Sequence, residues 1–294
     1  MPATAPDACD EILARIGAPP AARPRIERLA GRVLVVKYGG AAMVSTEGAD
    51  SFAGDLVLLH RAGVRPVLVH GGGPELTAAM GRMGLESTFV DGHRVTSAEA
   101  AELAEMVLSG RVNKKMVSQL QRAGGRAVGL SGTDGGMVRV GRHRPNGADV
   151  GFVGAVQAVD LGLPTLLLDA GFIPVVSSTA ADPAGQPHNI NADVMTGALA
   201  AAFPADLAVF LTDVPGVLVE GDRAAALTGP QVTEMLEAGI AGGGMRPKLE
   251  AAFEAVAAGV PEVRLIDGRT PHALLHEIVA EATAGTVVTP GGAR

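Results

Sequence analysis

The chain has 294 residues, 47% of them hydrophobic and 19% charged, with a formal net charge of −7. That is enough apolar material for one large domain or two lobes around a shared sheet, and the acidic balance argues against a nucleic-acid footprint. A single cysteine, Cys9, excludes an intrachain disulfide, no Cys/His spacing resembles a zinc site, and no apolar run of about 18 residues suggests a membrane span. Residues 1–30 stand apart: DEILARIG places Ile12, Leu13 and Ile16 on one face of a short helix, and Pro19, Pro20 and Pro24 then break it. With neither a basic leader nor an apolar signal core here, a cytoplasmic protein is expected.

From residue 32 strands and helices alternate. RVLVVKY reads as a strand and SFAGDLVLLHRAG as a helix; RPVLVH is a strand running through GGGP into the helix ELTAAMGRMG. SAEAAELAEMVLSGRVNKKMVSQLQRAG reads as one long helix, GRAVGLSG as a strand, LPTLLLDAG as a helix and FIPVVSS as a strand. HRPNGAD and GADVGFVGAVQAV look like a hairpin excursion. The helix ADVMTGALAAAF, the strand LAVFLTDV, the helices TGPQVTEMLEAG and MRPKLEAAFEAVAAG, and VPEVRLID as the final strand complete the series. Short β-branched strands between helices predict an α/β fold: a mainly parallel sheet with helices on both faces.

In such sheets ligands sit at the carboxyl ends of the strands. VVKYGG carries a lysine and two glycines there, VLVHGGGPEL three glycines before a helix, and GLSGTDGG another glycine-rich turn. Unobstructed amides at a helix N-terminus suit an anion, so three such turns predict a phosphate-handling site. None matches a Walker loop or a dinucleotide fingerprint. HNINADVM places Asn189, Asn191 and Asp193 ahead of a helix, more polar groups than one N-cap needs. FLTDVPGVL places Thr212 and Asp213 at a strand end, and GGGMRPKLEAA places Lys248 in the first turn of a helix, against the dipole unless an anion binds there. Of 24 basic residues only Lys37, Lys114, Lys115 and Lys248 are lysines. Lys37 and Lys248 adjoin glycine clusters, where a compact ammonium fits and a guanidinium does not; Lys114 and Lys115 read as helix surface.

Together VVKYGG, VLVHGGGPEL, VDGHRVT, GFIPVVSS, HNINADVMTGALA, FLTDVPGVL and GGGMRPKLEA resemble the amino-acid kinase family from about residue 30 to 288, and VDGHRVT points to its N-acetylglutamate kinase branch. The resemblance implies a three-layer αβα sandwich with two lobes sharing one sheet: residues 1–30 as an N-terminal arm, 31–200 binding the acyl amino acid, and 201–294 binding nucleotide. It implies transfer of the γ-phosphoryl group of ATP, as its Mg2+ complex, to the side-chain carboxylate of N-acetyl-L-glutamate in arginine biosynthesis. Alignment and charge neutralisation carry such a transfer. Lys37 and Lys248 would contact the moving phosphoryl, Asp193 would hold both, and the amides of Gly40 and Gly72 would bind its oxygens. Gly73, Arg94 and Asn189 would seat the acceptor. Gly39, Thr212, Asp213, Gly216 and Met245, with Lys248, would form the nucleotide side. No metal ligands from the protein are expected, since Mg2+ is held by phosphates and water. The assembly implied is a homodimer, or a homohexamer if the N-terminal helix packs on its copy.

The chain departs from the family pattern at His93, where leucine is usual, at Thr133, and at Ala282 and Thr283, where arginine-inhibited members carry glutamate and glycine. His93 and the altered C-terminus leave a paralogue acting on N-acetylaminoadipate as the alternative. Ala282 predicts weak or absent inhibition by arginine, since it removes the carboxylate that would hold the effector's cationic end.

Overall fold

The structure is a computed structural model, describing residues 7–39, 46–90, 92–219, 221–240 and 244–291. In chain order the elements are α1 (Ala8–Ile16), α2 (Arg23–Glu27), β1 (Val33–Tyr38), α3 (Thr46–Arg61), β2 (Arg65–His70), α4 (Gly73–Arg82), β3 (Phe89–Val90), β4 (His93–Arg94), α5 (Ala98–Glu105), a π-helical segment Met106–Val112, α6 (Asn113–Arg122) and β5 (Ala127–Leu130). They continue with β6 (Val138–Arg142), β7 (Val153–Val159), α7 (Gly162–Asp169), β8 (Ile173–Ser177), β9 (Thr179–Ala181), β10 (Pro187–Ile190), α8 (Ala192–Ala202), β11 (Leu207–Thr212), β12 (Leu218–Val219), β13 (Asp222–Arg223), β14 (Ala226–Thr228), α9 (Gly229–Glu237), α10 (Met245–Ala257), β15 (Val263–Asp267), α11 (Ala273–Val279) and β16 (Thr286–Thr289).

Eight strands form the main sheet in the order β14-β16-β15-β11-β1-β2-β8-β5, every pair parallel except β15 with β16. Alternation along β1 decides what each side chain meets. Leu34, Val36 and Tyr38 enter a core with α1, α3, α4, α5, α6 and α11. Val35 joins the opposite core with α8, α9, α10 and a second sheet, and Lys37 shares its side of the strand. The expected αβα layering is present.

Four expectations need revision. The hairpin is half of a four-stranded sheet, β6-β7-β10-β9, which Thr179–Ala181 and Pro187–Ile190 complete. VPEVRLID is not the last strand, because β16 returns antiparallel beside it. The long helix is interrupted by the π-helical turn 106–112. Finally, the prolines after α1 sit in the first turns of a short 3₁₀ helix and of α2, where their missing N–H groups cost nothing.

That last fold-back changes the reading of the N-terminal helix. Asp7 caps α1 by accepting from the Asp10 amide at 2.9 Å, and Gly17 closes it in the left-handed conformation. Ile12 and Leu13 are buried in the chain's own core alongside residues of α3 and α11. The apolar face that suggested packing on another copy is already covered within one chain. No helix among the described residues is long and apolar enough to cross a membrane.

Candidate active site

β1 and β11 are neighbours, and the chain leaves β1 toward β2 but leaves β11 toward β14 and β15 on the other side, which opens a crevice at their carboxyl ends. Lys37, at the penultimate position of β1, points toward α8 and is buried. Its Nζ lies 3.1 Å from Asp193 Oδ1, while Lys248 Nζ lies 3.0 Å from Asp193 Oδ2 and 3.2 Å from the Gly244 carbonyl. Asn191, the N-cap of α8, accepts from the Asp193 amide at 2.7 Å and fixes the first turn that carries the carboxylate. Gly197 permits the rest: a Cβ there would lie 2.8 Å from the Ala251 carbonyl oxygen, so only glycine lets α8 and α10 approach closely enough to bring Lys248 to Asp193.

Burial alone would raise the Asp193 carboxyl, but the two ammonium groups outweigh it and hold it below the ordinary carboxylate range. Burial pulls Lys37 down, against the attraction of Asp193. One buried carboxylate between two ammonium groups leaves positive charge uncompensated, an arrangement suited to a further anion.

Two cavities meet at Lys37. The first, about 230 Å³, is walled by the turn Gly71–Gly73, by Arg94 and His93, and by Asn189, Asn191 and Asp193. Arg94 is buried. Its guanidinium donates to Ser87 Oγ, to Thr77 Oγ1 at 2.9 Å and to the Gly73 carbonyl at 3.3 Å, and lies over the Phe89 ring. Every one of these partners is neutral, and burial pulls its pKa down from its ordinary value. A desolvated guanidinium with no carboxylate among the described residues is a receptor for one. Asn189 reaches the cavity from β10.

The second cavity, about 440 Å³, lies across Lys37 and is lined by Gly39, Thr212, Asp213, Met245 and Lys248. Thr212 Oγ1 donates to the Val214 carbonyl at 2.7 Å and accepts from the Val214 amide at 3.1 Å, so the hydroxyl shapes the turn after β11. Gly216 stands behind this wall, with φ 145° and no room for a Cβ beside Thr286 Oγ1 at 2.7 Å. Gly40 lies outside the described residues.

The structure thus gathers Lys37, Lys248, Asp193, Gly39, Gly72, Gly73, Arg94, Asn189, Thr212, Asp213 and Met245 around two adjoining cavities. Sequence reasoning missed three walls of the first cavity, Leu108, Val153 and Ser178. Leu108 was hidden because its π-helical turn reads as ordinary helix, and Val153 and Ser178 because the second sheet was not foreseen. His93 also lines the first cavity, its ring 4.4 Å from that of His143.

Residues 32–267 match the amino acid kinase family. The chain is 47% identical over 275 residues to an acetylglutamate kinase of Synechococcus elongatus, covering 92% of this chain and 91% of that protein. It is 42% identical over 282 residues to one of Moorella thermoacetica, covering 92% and 95%. It is 46% identical over 270 residues to the chloroplastic acetylglutamate kinase of Arabidopsis thaliana, covering 90% and 78%. Among solved structures, carbamate kinase from Giardia lamblia bound to AMP-PNP shares the fold with a TM-score of 0.66 at 17% identity, covering 89% of this chain and 99% of that one. N-acetylglutamate synthase from Neisseria gonorrhoeae with coenzyme A and N-acetyl-glutamate does so at 0.81 and 23%, covering 92% and 62%.

Proposed function

The chain belongs to the amino acid kinase family, and from that premise we infer that it is an enzyme that phosphorylates the side-chain carboxylate of N-acetyl-L-glutamate with ATP, making an acyl phosphate in arginine biosynthesis. The observation that carries the reading is the pair of cavities meeting at the Lys37–Asp193–Lys248 cluster.

The first cavity takes the acceptor. Arg94 receives the α-carboxylate, with Asn189 and Gly73 beside it, and the side-chain carboxylate lies toward Lys37. The second takes ATP against Gly39, Thr212, Asp213 and Met245, with Gly216 supporting the turn. Residues 31–200 are the acyl-amino-acid lobe, 201–294 the nucleotide lobe and 1–30 an N-terminal arm. The acceptor is already an anion at neutral pH, so no general base is required. Asp193, held between two ammonium groups, is a positioning carboxylate rather than a proton acceptor. Catalysis then consists of alignment and charge neutralisation: Lys37 meets the phosphoryl from the acceptor side, Lys248 from the nucleotide side, and the amides of Gly40 and Gly72 bind its oxygens.

Mg2+ accompanies ATP and neutralises its phosphates. Among the described residues no cluster of three His, Cys, Asp or Glu side chains forms a metal cage, and exposed Asp213 is the carboxylate among them that lines the second cavity. This donor set suits an ion carried mainly by phosphate and water. The assembly is a homodimer, or a homohexamer if surfaces other than the buried face of α1 join the dimers, and light scattering distinguishes the two. The decisive experiment is a coupled ADP-release assay with N-acetylglutamate, glutamate, aspartate and N-acetylaminoadipate. Preference for N-acetylglutamate sustains the reading, and preference for N-acetylaminoadipate replaces the acceptor.

A further inference from the structure

Behind the glycine turn lies a buried polar relay that the mechanism above does not use. His70, the last residue of β2, and Asn113, the first residue of α6, are both fully buried. His70 Nδ1 lies 2.7 Å from the Gly71 carbonyl oxygen, and His70 Nε2 lies 3.1 Å from Asn113 Nδ2. Asn113 Nδ2 also faces the Val175 carbonyl at 2.9 Å and the Leu130 carbonyl at 3.3 Å, while its Oδ1 accepts from Lys114 Nζ at 3.0 Å.

These contacts fix the proton positions. A carbonyl only accepts, so Nδ1 must carry the hydrogen. Turning the Asn113 amide over would set its oxygen against the Val175 and Leu130 carbonyls and its NH2 against an ammonium, so the NH2 faces Nε2, and its two hydrogens serve the two nearer acceptors, the Val175 carbonyl and Nε2. His70 is therefore the neutral Nδ1–H tautomer. Burial supports this by pulling its pKa down to about 4.

The consequence lies in the next peptide. In a trans peptide the C=O of one residue and the N–H of the next point in opposite directions. With the Gly71 carbonyl drawn inward to His70, the Gly72 N–H is aimed outward. Gly72 lines the first cavity, and no hydrogen bond within the described residues occupies its amide. A Cβ on Gly72 would lie 2.6 Å from Leu108 Cδ2 and 3.1 Å from Val112 Cγ2, so the π-helical turn presses on the same peptide from outside. The Gly71 amide is held too, donating to the Tyr38 carbonyl at 3.1 Å.

We propose that His70, itself anchored by Asn113, is a positioning residue that orients the Gly71–Gly72 peptide so that the Gly72 amide faces the phosphoryl being transferred. The inference rests on the kinase reading above. Removing one preorganised donor of this kind costs roughly 100-fold or more in turnover, and misaiming it costs somewhat less.

The test compares His70→Leu, which loses both contacts, with His70→Asn, whose amide can still donate to the Gly71 carbonyl. Turnover in His70→Leu is expected to fall about 10- to 100-fold with both KM values little changed, and His70→Asn to recover most of it. Nitrogen-15 NMR of the unmodified chain at neutral pH is expected to show His70 protonated at Nδ1 only, a readout that needs no substrate and no variant. An Nε2-protonated tautomer overturns the relay, as does normal turnover in a folded His70→Leu protein. A His70→Asn variant as slow as His70→Leu overturns it too, by reducing His70 to a packing role. Lys37→Ala is assayed alongside: if it stays active the kinase mechanism falls, whereas an inactive Lys37→Ala beside a fully active His70→Leu removes only the positioning role.

Discussion

Two cavities carry an arginine beside carbonyl groups, and they are in opposite electrostatic states. At the strand ends, Arg94 has only neutral partners among the described residues and stands near the Lys37–Asp193–Lys248 cluster, where cations exceed the one buried carboxylate. Between α1, α2 and the end of α11 lies a cavity of about 340 Å³ lined by Ile16, Arg25, His276 and Glu281. There Arg25 donates to the Val279 carbonyl at 2.8 Å and pairs with Glu281, so the guanidinium is satisfied within the chain. The cavity at Arg25 is larger than the one at Arg94, yet its charges close on themselves. An uncompensated desolvated cation marks a ligand site, and a compensated one marks a structural joint.

The most severe way to break this contrast is to change the cation's shape without its charge. Lys37→Arg and Lys248→Arg are each expected to lower turnover by about 100-fold or more, because a planar guanidinium cannot occupy a slot holding an ammonium 3.0–3.1 Å from Asp193. Steady-state assays with circular dichroism as a fold control check this; near-normal turnover in either variant removes that lysine from the mechanism. Next comes Arg94→Ala. Losing a partly desolvated arginine–carboxylate pair costs about 2–4 kcal/mol, so KM for the acyl amino acid should rise by roughly 30- to 1000-fold while KM for ATP stays put. A rise in the ATP value alone would move Arg94 to the nucleotide side.

Much of this contrast was legible in the sequence. Glycine clusters and the scarcity of lysine pick out Lys37 and Lys248, and the excess of polar groups in HNINADVM picks out Asp193. The unpaired setting of Arg94 was not legible, because what marks it is that its partners among the described residues are all neutral, a property of packing. Nor was the self-contained joint: Glu281 meets Arg25 across 256 positions of chain, and no local pattern announces it. The π-helical turn and the second sheet escaped for a related reason. Leu108 and Val112 of the turn pack against Gly72, and the second sheet pairs Val153 with Asn189, contacts between distant stretches of chain that propensity cannot see.

Buried titratable groups sharpen the comparison, because the chain holds two of opposite sign. Behind the glycine turn, His70 is pulled from 6.5 to about 4 by burial. At the other end of α11 from the joint, Asp55 of α3 is pushed from 3.8 to about 6 by burial, against its contact with His272 Nδ1 at 2.7 Å. His70 contributes stability above the unfolded-state value near 6.5, lost as pH falls through about 4. Asp55 contributes stability below 3.8, lost as pH rises through about 6. Each amounts to roughly 3 kcal/mol, so between about pH 4 and 6 the two nearly cancel. Urea midpoints at several pH values should therefore show Asp55→Asn losing stability more steeply than the parent on acidification, and His70→Asn gaining it. Parallel curves for all three proteins would refute the assignment of both groups.

The smallest expected effect belongs to the joint. Free arginine at millimolar concentration should leave turnover essentially unchanged. A cationic effector needs an acceptor that is not already engaged. Ala282 offers none, Thr283 spends its hydroxyl on the Gly285 amide at 2.9 Å, and Glu281 is taken by Arg25. Glu277, the remaining carboxylate nearby, is buried and held by Arg264 at 3.2 Å and by the Ala284 amide at 3.1 Å. Arg25→Ala should cost less than about 1 kcal/mol, since its partner Glu281 is largely exposed and surface pairs contribute little. Arginine sensitivity should appear only when a carboxylate is built in, as in Ala282→Glu combined with Thr283→Gly. If the unmodified chain were strongly inhibited, the effector would have displaced Arg25 from Glu281, and the joint would be a ligand site after all.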